Sequence, residues 1–139
     1  MTFQIPDGYQ PFAEDDGYIG HNGPYFAKEM PDGKFRYGFK TDSRHGNPNS
    51  VIHGAALIGF VDTTFGHLIV RETGRFCATI SLTTEFISGT PAGGWVEATA
   101  HLKRATKNLA FASAEVFFED NLLLSATSIF KLFGDRPQA

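Results

Sequence analysis

The densest run of reactive side chains in the sequence is His45-Gly46-Asn47-Pro48-Asn49-Ser50-Val51-Ile52-His53-Gly54-Ala55, followed by a carboxylate at Asp62. A carboxylate is ionised at neutral pH, so it can take a proton from water or attack an electrophilic carbon itself. At the start of a helix the backbone N–H groups have no intrahelical acceptor. A glycine there, Gly54, has no Cβ to keep a carbonyl oxygen away, so its N–H can stabilise an oxyanion. Asp62 lies eight residues beyond Gly54, about 12 Å along a helix axis, too far for both to touch one reacting carbonyl. One chain therefore does not complete such a site. In a two-fold dimer, antiparallel helices from two copies bring Asp62 of one beside Gly54 of the other and create two identical sites across the interface. The same residues also admit a plain structural account, with Asp62 satisfied by Thr63 or Thr64 and Asn47-Pro48 serving as turn residues.

The elements that would hold these residues follow from periodicity. Leu57, Phe60, Val61, Thr64 and Leu68 fall at i, i+3, i+4, i+7 and i+11, one face of a helix from about His53 to about Arg71. Before it, Phe35, Tyr37 and Phe39 alternate with Lys34, Arg36 and Lys40 after a Pro31-Asp32-Gly33 turn, which predicts a hairpin. After it come four period-2 faces: Ile80-Leu82-Thr84-Phe86, Val96-Ala98-Ala100-Leu102, Ala110-Ala112-Ala114-Val116-Phe118 and Leu124-Ala126-Ser128-Phe130-Leu132. Short joints between them predict antiparallel pairing of consecutive strands. One long helix among six strands is buried only by a curved sheet wrapped around it. This is an α+β arrangement, the hotdog fold, expected over residues 24–139. Residues 1–23, rich in Gly, Pro, Asp and aromatics without periodicity, read as an irregular arm.

Composition narrows the function classes. The chain has 139 residues, 42% hydrophobic and 19% charged, with a formal net charge of -3, which describes one folded domain with no field favouring nucleic acid. Cys77 is the single cysteine, so there is no internal disulfide and no cysteine-based zinc cluster, which fits a reducing compartment. The longest apolar run, Ala55 to Val61, is far short of a membrane span. A cytoplasmic protein without nucleic-acid or membrane partners is expected. His21, His45, His67 and His101 lack metal-ligand spacing, and no Gly-x-Ser-x-Gly elbow, GxGxxG or Walker loop occurs. Cys77 reads as a small buried residue.

The spacing Asn47, five residues, His53-Gly54, seven residues, Asp62 resembles that of the phenylacetic-acid-degradation type (PaaI-like) hotdog acyl-CoA thioesterases. The resemblance runs from Asn22-Gly23-Pro24 through Thr79-Ile80-Ser81-Leu82 to about Phe133. It implies hydrolysis of an acyl-CoA thioester to free acid and coenzyme A by a homodimer or a dimer of dimers, with no cofactor beyond the coenzyme A of the substrate. By the same resemblance, Gly54 N–H polarises the thioester carbonyl, Asn47 helps bind and position it, and His53 buttresses the loop. Asp62 of the partner subunit is general base or nucleophile, and Thr79, within a one-residue uncertainty of strand register, orients the water. Lys103, Arg104 and Lys107 correspond to a region where relatives hold the phosphates of coenzyme A, although charged turns are also common solvated surface. The chain departs from the pattern at Ala55, where many relatives have a second glycine, and a methyl there narrows the acyl pocket. Phe60, Phe65, Phe86 and Trp95 are candidates to line that pocket. Two other readings remain: an enoyl-CoA hydratase or dehydratase using His53 with Asp62, and a non-catalytic acyl-CoA binding module.

Overall fold

The computed structural model describes residues 2–12 and 16–134. Parts of the expected arm and of the expected domain (1, 13–15 and 135–139) lie outside the described residues. The elements are β1 (Gln10–Pro11), α1 (Tyr18–Asn22), β2 (Phe26–Glu29), β3 (Phe35–Lys40), a single 3-10 turn (Ser43–His45), α2 (Gly54–Thr73), β4 (Phe76–Phe86), β5 (Trp95–Ala105), β6 (Leu109–Phe118) and β7 (Asn121–Phe133). The strands form one antiparallel sheet in the order β1-β2-β3-β5-β6-β7-β4. It curves around α2 in the hotdog arrangement that the periodicity implies.

Helix α2 has 20 residues and buries Leu57, Phe60, Val61, Thr64 and Leu68, as their spacing requires, together with Phe65 and Ile69. The strands answer these bulky side chains with small ones: Ala98, Ala110, Ala112, Ala114 and Ala126 are all buried in the same core. Small residues on the concave face let the sheet bend close to the helix. Phe60 and Phe65 are fully buried, each contributing on the order of 2 kcal/mol. The helix begins where His53 Nδ1 accepts the N–H of Ala55 at 3.0 Å. It ends at Gly74, whose left-handed φ of 71° lets its N–H reach Val70 O at 2.8 Å.

Two expectations about strands need correction. β4 does not pair with β5, its successor in sequence; it pairs with β7 at the far edge, and β5 pairs with β3. The connection of eight residues from Ile87 to Gly94 is long enough to cross three inter-strand gaps of about 4.8 Å. It is pinned on the way, first to Leu123 O by the N–H groups of Ile87 and Ser88, then to the loop before α2 through Ile52 N–H to Thr90 O and Ala92 N–H to Ser50 O. The helix entry and the strand crossover therefore stabilise each other. The second correction concerns the β4 face. A bulge between Thr79 and Ser81 breaks the alternation, so Ile80 turns outward and is exposed while Leu82 packs against the core; Phe86 shares the face of Leu82 but is exposed at the end of the strand.

The segment before Pro24 is less irregular than its sequence reads. Gln10 and Pro11 extend the sheet by pairing with Ala27 and Phe26, and rings fasten the rest. Phe12 meets Tyr37 and His67 edge-on at 5.6 and 4.8 Å, and Phe3 and Tyr9 pack on Trp95 at 5.7 and 5.1 Å. His67 accepts or donates a 3.0 Å hydrogen bond with the Tyr37 hydroxyl. Burial, helped by nearby Arg71, holds its pKa down to about 4, so it sits in this cluster as a neutral imidazole. No helix is long and apolar enough to cross a membrane among the described residues.

Candidate active site

The loop before α2 is built almost wholly from its own side chains. His45 is buried and fixed at both ring nitrogens: Asp42 N–H donates to Nδ1 at 2.9 Å, so Nε2 carries the proton and donates to Asn22 O at 2.7 Å. This ring ties the end of α1 to the loop, and Arg44 adds bonds to His21 O and Gly23 O. Gly46 bridges to Ile52, and His53 N–H donates to His45 O at 2.7 Å. Between these rungs the Asn47 carboxamide oxygen accepts from Asn49 N–H at 2.8 Å and Val51 N–H at 3.1 Å, an Asx-type staple. The oxygen of Asn47 is thus committed to the loop, which leaves its NH2 as the group able to donate to a ligand.

His53 buttresses the loop in a specific way, as the cap of α2. Its Nδ1 consumes the Ala55 N–H, and its carbonyl accepts from Ala56. The Gly54 N–H has no acceptor among the described residues. A Cβ at position 54 would lie 2.8 Å from Phe86 Cε1, so the glycine admits a close neighbour, and in this chain that neighbour is the exposed Phe86 ring. Together they face a cleft of about 330 Å³ shared with Ile52, Leu57, Ser88 and Thr90. Of the four aromatics considered for a pocket, Phe86 alone is there. Phe60 and Phe65 belong to the core, and Trp95 lies beneath Phe3 and Tyr9.

Asp62 sits farther along α2 in a separate cleft of about 330 Å³, lined by Tyr18, Ala55, Ile58, Gly59, Asp62, Thr63 and Leu82. Its Oδ1 accepts a 2.6 Å hydrogen bond from Thr79 Oγ1. Neither neighbouring threonine satisfies it: Thr63 Oγ1 donates to Gly59 O, and the buried Thr64 Oγ1 has no hydrogen-bond partner among the described residues. The bulge that turns Ile80 outward also sets the register in which Thr79 meets Asp62. Cys77 lies near enough to feel this carboxylate, and burial followed by the Asp62 charge raises its thiol pKa, which keeps it protonated and poorly nucleophilic. Ala55 lines the Asp62 cleft, so its methyl does occupy space there. The Gly54 and Asp62 clefts share no lining residue, in keeping with the separation that the helical rise demands.

Lys103, Arg104 and Lys107 are exposed and line neither cleft. Lys103 sits at a second bulge, between Leu102 and Arg104, over a depression on the outer sheet face with Ser81, Thr83, Phe111, Thr127 and Ile129. The register also sets Lys131 opposite Leu109, beside the same turn, a fourth cation that strand alternation alone did not single out. Tyr18 is the other residue that sequence reasoning missed. A Cβ at Gly59 would collide with its hydroxyl. A glycine in mid-helix costs about 1 kcal/mol against alanine, and that cost was the available sign of something pressed against this turn.

The thioesterase superfamily profile matches residues 49–125, more than half of the chain and the span that holds Gly54, Asp62 and Thr79. The chain belongs to the thioesterase superfamily. A Pseudomonas aeruginosa protein named "Putative esterase PA0474" is 25% identical over 130 residues, 92% of this chain and 97% of its own. Among solved structures of this fold, the Escherichia coli PaaI protein of the phenylacetic acid degradation operon superposes with a TM-score of 0.76 at 16% identity, over 87% of this chain and 88% of its own. The Bacillus halodurans BH2602 protein, solved with CoA, has a TM-score of 0.71 at 20% identity over 79% and 74%. The shared thioesterase scaffold is thus matched in sequence and in fold.

Proposed function

We propose that this thioesterase-superfamily protein hydrolyses acyl-CoA thioesters, with Asp62 as general base on water or as nucleophile on the carbonyl. The observation that carries the reading is the Asp62 carboxylate, open to a cleft and aimed by the 2.6 Å bond from Thr79. A carboxylate so held keeps one oxygen lone pair for the Thr79 proton and presents the other oxygen to water. The unpaired Gly54 N–H and the Asn47 NH2 supply donors for the thioester oxygen as it gains charge. Because one helix separates Asp62 and Gly54 by about 12 Å, the reacting carbonyl is shared between two copies in a homodimer. The free edge of β4 supports that assembly. It is an 11-residue strand paired on one side only among the described residues, and Phe76, Ile80, Phe86, Ile87 and Phe133 are all exposed on or beside it.

The exposed cations near the 103–108 turn suit the phosphates of coenzyme A, and the chemistry needs no cofactor besides the coenzyme A of the substrate. The CoA in the similar Bacillus halodurans structure favours this substrate class over other thioesters. The test is free-thiol release from benzoyl-, phenylacetyl-, butyryl- and octanoyl-CoA by the wild type and Asp62→Ala. Expected is wild-type turnover that falls by about a thousandfold or more in a folded variant. Undiminished turnover in Asp62→Ala would sink the assignment. A change in enoyl absorbance without thiol release would point to hydration chemistry, and saturable coenzyme A binding without turnover to a binding module.

A further inference from the structure

We infer that Tyr18, delivered by the segment before Pro24, forms the end wall of the acyl subsite and limits the length of the acyl chain. This rests on the hydrolase reading above. The Asp62 cleft is apolar apart from its carboxylate and hydroxyls: Ala55, Ile58, Gly59 and Leu82 form its floor, and the Tyr18 ring stands over Gly59. Gly59 precedes Asp62 by three residues, about 4.5 Å of helix, so the Tyr18 ring stands within one helical turn of the carboxylate. An acyl group whose carbonyl is at Asp62 has its first few carbons in this space. Tyr18 is 54% exposed, so the core does not require its ring.

The ring is nevertheless held. The Tyr18 phenol lies close enough to act on Tyr25, and burial first, then that contact, pushes the Tyr25 phenol well above the usual tyrosine range. The short helix carrying Tyr18 is anchored at its other end by His45 Nε2 and Arg44 on Asn22, His21 and Gly23 carbonyls. The same loop that carries Asn47 and Gly54 therefore sets the position of Tyr18. An aromatic wall at this distance suits compact acyl groups, aryl or short aliphatic, and opposes a straight chain that must run through the ring.

The experiment measures kcat/KM for benzoyl-, butyryl- and octanoyl-CoA with wild type, Tyr18→Ala and Tyr18→Phe. Tyr18→Ala should shift the octanoyl-to-benzoyl ratio by about tenfold or more toward octanoyl. Tyr18→Phe keeps the ring and should stay within about twofold of the wild-type ratio. An unchanged ratio in Tyr18→Ala, or an equal loss on all three esters, overturns the inference while leaving the hydrolase reading intact. A Tyr18→Phe profile that matches Tyr18→Ala overturns the wall as well, since the hydroxyl contact with Tyr25 would then be what matters. A wild type inert on every ester sinks the hydrolase reading, and this inference with it.

Discussion

The two halves of the site are built on opposite plans. At the entry to α2, residues 45–56 hold one another: Asn47 staples the turn, His53 caps the helix and the His45 carbonyl accepts from His53, all within about ten residues of sequence. At Asp62 the polar contact comes instead from Thr79, 17 residues away on a bulged edge strand. The first half is stabilising in its own right, because its side-chain atoms satisfy backbone groups that would otherwise lack partners. The second half contributes little to folding, since Thr79 is exposed and its bond to Asp62 lies in an open cleft. Changes to the two halves should therefore separate activity from stability in opposite ways.

After Asp62→Ala itself, the largest effect should come from Thr79→Val, which keeps the shape and removes the hydroxyl. A hydrogen bond to a charged group is worth about 1.5 to 3 kcal/mol, so turnover should fall on the order of tenfold to a hundredfold while the urea midpoint stays close to wild type. A marked loss of stability with little loss of rate would show that the two halves do not differ in the way described.

Asn47 allows a sharper division. Asn47→Ala removes the acceptor for two backbone N–H groups and should cost about 1 to 2 kcal/mol of stability along with activity. Asn47→Asp keeps the acceptor and removes only the NH2 donors. It should unfold near the wild-type midpoint yet lose turnover, because a carboxylate in that place cannot donate to the thioester oxygen and would repel its developing charge. If Asn47→Asp hydrolyses at the wild-type rate, Asn47 is a structural staple alone.

The same contrast explains what could be read from the sequence. The helix, its buried face, the hairpin before it and the alternating faces of β5, β6 and β7 follow from period and turn chemistry, and the structure places them so. The reactive residues of the loop were legible because their contacts are local. The partner of Asp62 was a choice among hydroxyls, since which of Thr63, Thr64 and Thr79 reaches the carboxylate depends on a bulge that no pattern in Phe76–Phe86 announces. The place of β4 was hidden for a similar reason. Short joints favour consecutive pairing, but the hydrogen bonds from Ile87, Ser88, Ile52 and Ala92 carry this joint across the end of the sheet. Tyr18 was invisible because its segment has no period and its contact is made through an absence, the missing Cβ of Gly59.

The smallest expected effect tests whether the local half is as self-contained as it looks. Ser50 closes the Asn47 turn with a φ of 63°, a conformation that costs a side chain about 1 kcal/mol and glycine almost nothing. Glycine also gives the unfolded chain more freedom to lose, which offsets about half of that gain. Ser50→Gly should therefore raise stability by about 0.5 kcal/mol, read as a small upward shift of the urea midpoint at unchanged slope, since the Ser50 backbone bonds to Asn47 and Ala92 survive the change. A destabilised variant would mean that the Ser50 side chain helps hold the turn, and the loop would then owe less to the Asn47 staple than its geometry indicates.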